Sequence, residues 1–177
     1  NYVVNGLIVI TTGIVVLGIV FAGPLVDLFA AAYRNVPGKF ELTVFLTRLM
    51  LPFLMFVAVA AAFMGMLNSL QRFFIPALSP AMFNVAIITS ALVLVPLMPG
   101  LGLPTIAAIA IGSLFGGVAQ LVLQWPSLRR EGFRYRPILN WRDEGLGRVL
   151  VLMGPGTLGL AATQINLFVN TVLATGE

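Results

Sequence analysis

Arg48-Leu-Met-Leu-Pro52 opens a long apolar run that closes with Asn68-Ser-Leu-Gln-Arg72-Phe-Phe-Ile-Pro76-Ala-Leu-Ser-Pro80-Ala-Met-Phe-Asn84. Residues 49–71 carry no Asp, Glu, Lys or Arg, and after Arg72 the next charge is Arg129. A helix crosses roughly 30 Å of hydrocarbon with about 20 apolar residues. The stretch therefore reads as a membrane span, a tight basic turn at Arg72 and the beginning of a return span.

Working outward, residues 1–26 and 149–176 are equally free of charge. The uncharged run 73–128 is too long for one crossing, and Pro96-Leu-Met-Pro-Gly-Leu-Gly-Leu-Pro104 divides it at a segment poor in backbone donors. The expectation is five spans, near 5–31, 42–67, 80–97, 104–126 and 147–174. The runs are continuously apolar rather than alternating, which selects an all-α, polytopic transmembrane helical bundle over a barrel. Pro24, Pro52 and Pro155 inside these runs predict kinks or 3₁₀ turns. Gly112 and Gly116 have helix-packing spacing.

Composition agrees. Of 177 residues, 59% are hydrophobic and 9% charged, too few charges to cover a water-facing globule. A cleavable leader does not explain the pattern, because apolar runs continue to the far end. Asn1 at the start and Glu177 directly after an apolar run give the expectation of an excerpt from a longer protein. Without Cys or His there is no thiol nucleophile, imidazole base or common zinc ligand. No carboxylate lies deep in a span and no phosphate-cradling Gly-rich loop is present, so acid/base and nucleotide-driven chemistry are disfavoured in this stretch.

Basic residues set the expected orientation. Arg72, Arg129, Arg130, Arg134, Arg136, Arg142 and Arg148 fall on one side, and Arg34, Lys39 and Arg48 on the other. The positive-inside rule then puts the arginine-rich side and the N-terminus in the cytoplasm. Trp125, Tyr135 and Trp141 bracket the loop as interfacial anchors. The loop, with Arg129, Arg130, Arg134, Arg136 and Arg142, reads either as a topogenic segment on anionic phospholipid headgroups or as a gate touching a phosphorylated substrate. Its juxtamembrane position explains the charges without nucleic acid.

Polar side chains inside the spans are the candidate site. Gly156, Gly159, Thr163, Asn166 and Asn170 recur at three- and four-residue steps, with Gln164 alongside. Ser113, Gly116, Gln120 and Gln124 form a similar face, and Gln120 and Gln124, one turn apart, are placed to reach one partner. Each face reads as helix-packing glue or as a cavity wall, and the amide-rich one also as a cation site of hard oxygen ligands. Arg48 lies roughly 9 Å into its span if the helix starts at Leu42. It either snorkels to headgroups or faces a cavity as a phosphate-binding guanidinium.

Leu46-Thr-Arg-Leu-Met-Leu-Pro-Phe-Leu54, Gly65-Met-Leu-Asn-Ser-Leu-Gln-Arg-Phe-Phe-Ile-Pro-Ala-Leu-Ser-Pro80 and Phe83-Asn-Val85 resemble the MurJ/MviN family of lipid II flippases. So do Gly116-Gly-Val-Ala-Gln-Leu-Val-Leu-Gln-Trp-Pro126, Asn140-Trp-Arg-Asp143, Met153-Gly-Pro155 and Gln164-Ile-Asn166. The resemblance covers the chain from about Glu41 onward. It implies the third to seventh helices of a fourteen-helix, two-lobe exporter, with 1–146 in the N-terminal lobe and 147–177 opening the next. It further implies alternating-access transfer of lipid-linked peptidoglycan precursor across the bacterial inner membrane, with cavity arginines on the pyrophosphate. Most of those arginines belong to helices outside this chain. No enzymatic cofactor is implied; coupling to a monovalent cation or the membrane potential is. Asn170 is nearest to a family sodium-binding aspartate, but carries no charge. The alternatives are an exporter of another polyprenyl-linked glycan or a drug, or a membrane scaffold for cell-wall enzymes.

Overall fold

The computed structural model describes residues 1–138, 140, 143–145, 147–148, 151, 162–164 and 166. Six α-helices follow one another among them: α1 (Tyr2–Val20), α2 (Ala22–Ala30), α3 (Lys39–Met50), α4 (Phe53–Ser69), α5 (Phe74–Leu94) and α6 (Ala107–Arg130). Four segments are long and apolar enough to cross a membrane: Tyr2–Val20, Lys39–Ser69, Phe74–Leu97 and Ala107–Arg130. They correspond to the first four expected spans; the fifth, 147–174, lies largely outside the described residues.

Prolines account for the interruptions. Pro24 has no N–H for the carbonyl four residues back, and the first span breaks at Phe21 into α1 and α2 instead of running unbroken to residue 31. Pro52 does the same between α3 and α4, where Leu54 and Met55 bond three residues back, to Leu51 and Pro52, at 3.0 and 3.1 Å. The axis carries on as one 31-residue segment, about 46 Å long. The Pro/Gly cluster is the expected turn, made of two 3₁₀ pieces, Val95–Leu97 and Pro99–Leu101, ending at Gly102 with φ 67°.

The third span departs most from expectation. It begins at Phe74, not near residue 80. Pro76 sits in the first turn, where its missing N–H costs nothing, and Pro80 is accommodated within the helix. The fourth span likewise continues past Pro126 to Arg130.

The chain divides into two compact units, Leu7–Arg136 and a second made of Asn1–Gly6 with Pro137–Glu177. Within the larger unit, α6 packs along α5 and α4. Gly112 lies against Ser90 and Gly116 against the Phe83 ring, where an added Cβ would come within 2.7 and 2.4 Å; at Gly117 it would meet Phe56 Cβ at 2.8 Å. The Gly112/Gly116 pair thus does what its spacing predicts, letting α5 approach closely, and Gly117 does the same for α4. One end of the bundle is closed by Met98, Ala107 and Ala108, with Leu46 and Leu49 of α3 packed on them. In the smaller unit, Asn5 Nδ2 donates to the Ile138 carbonyl at 2.7 Å.

Candidate functional site

At the other end of the larger unit, α4 and α6 finish side by side with the same hydrogen-bond pattern. After α4, the Arg72 N–H donates to Leu67 O at 2.9 Å and the Gln71 N–H to Asn68 O at 3.0 Å. After α6, the Phe133 N–H donates to Leu128 O at 3.0 Å and the Gly132 N–H to Arg129 O at 3.1 Å. Both are Schellman closures, which place one residue in the left-handed region. Gly132 occupies it at φ 84°, as a glycine should; in the first turn Gln71 does so at φ 59°.

Arg72 Nε donates to Glu131 Oε1 at 2.7 Å and ties the two closures together. Beneath it, Leu67 and Leu128 are fully buried. Phe63, Trp125 and Phe133 form an aromatic triangle with centroids 6.0–6.1 Å apart. Within the larger unit, Arg72 and the chain from Arg129 to Arg136 thus meet at one end of the bundle. Arg129, Arg130, Arg134 and Arg136 are all exposed. Arg142 lies outside the described residues.

Arg48 stands in the last turn of α3, nine residues beyond Lys39, or roughly 13 Å along the helix. That is deeper than a start at Leu42 implies. Its side chain is exposed, and Nε donates to Ile19 O at 3.2 Å, at the C-terminal end of α1 just before the break. A cation there is favoured by the helix dipole. Arg34 pairs with Asp27 and Arg72 with Glu131, whereas among the described residues no carboxylate pairs with Arg48. Arg34 also stacks over Phe40 at 4.4 Å and Lys39 over Tyr33 at 3.9 Å, holding the turn between α2 and α3.

The two α6 glutamines part company. Gln124 is wholly buried against α5, where Nε2 donates to Ser79 Oγ at 3.0 Å. That hydrogen bond makes it a packing contact between the two helices. Gln120 is half-buried and makes no side-chain hydrogen bond among the described residues. Ser113 is satisfied within its own helix by donation to Ile109 O at 3.0 Å. Gln164 and Asn166 are exposed helical residues of the smaller unit. Gly156, Gly159 and Asn170, and with them the sodium expectation, lie outside the described residues.

Ser79, Gln71 and Glu131 were not singled out by the sequence. A Ser three residues after Pro76 on the buried side of α5 and an acid directly before Gly132 were the available signals.

Apolar helices of spanning length, small residues at their contacts and an arginine-rich end define a multi-pass helical membrane protein. The family model for "Lipid II flippase MurJ" matches residues 1–176, and the chain belongs to that family. It is 32% identical to a probable lipid II flippase MurJ of Buchnera aphidicola, over 94% of this chain and 32% of that protein. The corresponding protein of Haemophilus influenzae is 37% identical over 77% of this chain and 26% of its own length. The lipid II flippase MurJ of Burkholderia cenocepacia is 32% identical over 90% and 31%. The chain thus spans about a third of the length of these relatives.

Proposed function

We propose that this chain is part of a flippase that carries lipid II across the bacterial inner membrane for peptidoglycan synthesis, working with further helices of a longer protein. The observation that supports this most is the family match over residues 1–176, joined to relatives named as lipid II flippases. On this reading the protein is a transporter rather than an enzyme, and a gradient of monovalent cation or the membrane potential drives it. The division into a first lobe, 1–146, and the start of a second, 147–177, belongs to the same proposal. So does an N-terminus on the cytoplasmic side, the side to which the positive-inside rule also assigns Arg72, with Arg129 and Arg130 on anionic phospholipid headgroups.

Within that frame Arg48 is the chain's own candidate for the anionic headgroup. Its Nε is held by the Ile19 carbonyl, and among the described residues no carboxylate pairs with the rest of the guanidinium. An uncompensated arginine on a membrane span is retained where it meets water or an anion. In vesicles holding the full-length protein and labelled lipid II, Arg48→Ala should cut translocation by about tenfold or more, a charge-assisted contact being worth roughly 1.5–3 kcal/mol. Insertion should be unchanged. Normal translocation by well-inserted Arg48→Ala protein would remove Arg48 from the site.

A further inference from the structure

We propose that a single water molecule is bound between α5 and α6 beside the Pro80 position of α5, held by Gln124. The Gln124 side chain is completely buried, as is Ser79, to which its Nε2 donates. Gln124 Oε1 is also buried and has no donor among the described residues. Turning the amide over would exchange the atoms and leave Nε2 orphaned instead, so the deficit does not depend on the amide's assigned orientation. A buried polar atom without a partner costs far more in a membrane interior than one that is bonded.

One turn along α5 a backbone donor is missing. Pro80 has no N–H to give the Pro76 carbonyl. Pro76 and Ser79 are both buried and three residues apart, so they share a face of α5. Gln124 Oε1 lacks a donor, the Pro76 carbonyl loses the N–H that a residue other than proline would give it, and Gln124 retains a second N–H beyond the one given to Ser79. A water donates two hydrogen bonds and accepts from a donor such as this, which matches the deficit in number and sign. Buried waters are found where two to four polar groups converge in this way. A cation has no lone pair to accept the second Gln124 N–H, and an apolar group would satisfy neither acceptor.

The test is radiolytic hydroxyl footprinting of the full-length protein in lipid nanodiscs, read by mass spectrometry, since activated bound water labels the side chains around it. Pro76 should label several-fold faster than Leu67, a fully buried residue of the apolar α4–α6 contact, and Gln124→Leu should remove most of that difference. The Ser79→Ala/Gln124→Leu pair, which leaves no orphaned side chain, should fold with a melting temperature near wild type and show the same loss. Pro76 as silent as Leu67 in the wild type would overturn the proposal and indicate a protein donor from elsewhere. Undiminished labelling of Pro76 in the folded double variant would overturn it too.

Discussion

α5 and α6 are neighbours of similar length, both apolar enough to cross a membrane, yet nine residues of α6 are buried against three of α5. The buried α6 residues are mainly Ala, Gly and Ser, and those of α5 are Pro76, Ser79 and Ser90. The large apolar side chains point outward: Leu92 of α5 is 75% exposed and Val122 of α6 64%. In water the order would be reversed. Lipid is as apolar as leucine, so helices gain nothing by hiding leucine from it and associate through close backbone approach and a few hydrogen bonds. Hydropathy thus locates both helices, whereas small residues tell which is central.

The sharpest way to break that contrast is at Gly116, where a Cβ would stand 2.4 Å from the Phe83 ring. Gly116→Leu should destabilise the protein by at least about 3 kcal/mol, the upper range for overpacking, seen as a collapse of thermal stability in detergent. Leu92→Ala, although it deletes more apolar surface, should change stability by less than about 0.5 kcal/mol. Equal losses from the two variants would show that α5 is as enclosed as α6.

Smaller effects are expected where the two helices' neighbours meet. Arg72→Glu and Glu131→Arg should each cost up to about 1 kcal/mol, since the pair is partly exposed, and the double exchange should recover most of it in a double-mutant cycle. Independent, additive losses would mean that the pair contributes nothing. Gln71→Gly should instead raise stability by roughly 0.5–1 kcal/mol, because the left-handed conformation at φ 59° suits glycine. The same exchange at Ser69, inside α4, should lower it.

These residues also mark how far sequence reasoning reached. Charge-free runs and the Pro96–Pro104 cluster gave four described spans and their turns, because length and missing donors are local properties. The glycine spacing of α6 was legible for the same reason. The start of α5 was not, since Pro76 and Pro80 look like helix breakers unless one knows that the first falls in the opening turn. Nor was the split between Gln120 and Gln124. One helical turn apart, they are equivalent in spacing, and only the position of Ser79 on another helix decides which is sealed. Arg48 was found as an unusual charge, but its bond to Ile19 O depends on the break after α1.

The central claim is tested most directly by depleting the protein in its own cells and measuring lipid II exposed on the outer leaflet. Exposed lipid II should fall while lipid II accumulates inside. Undiminished exposure, in cells with no second flippase, would contradict the account.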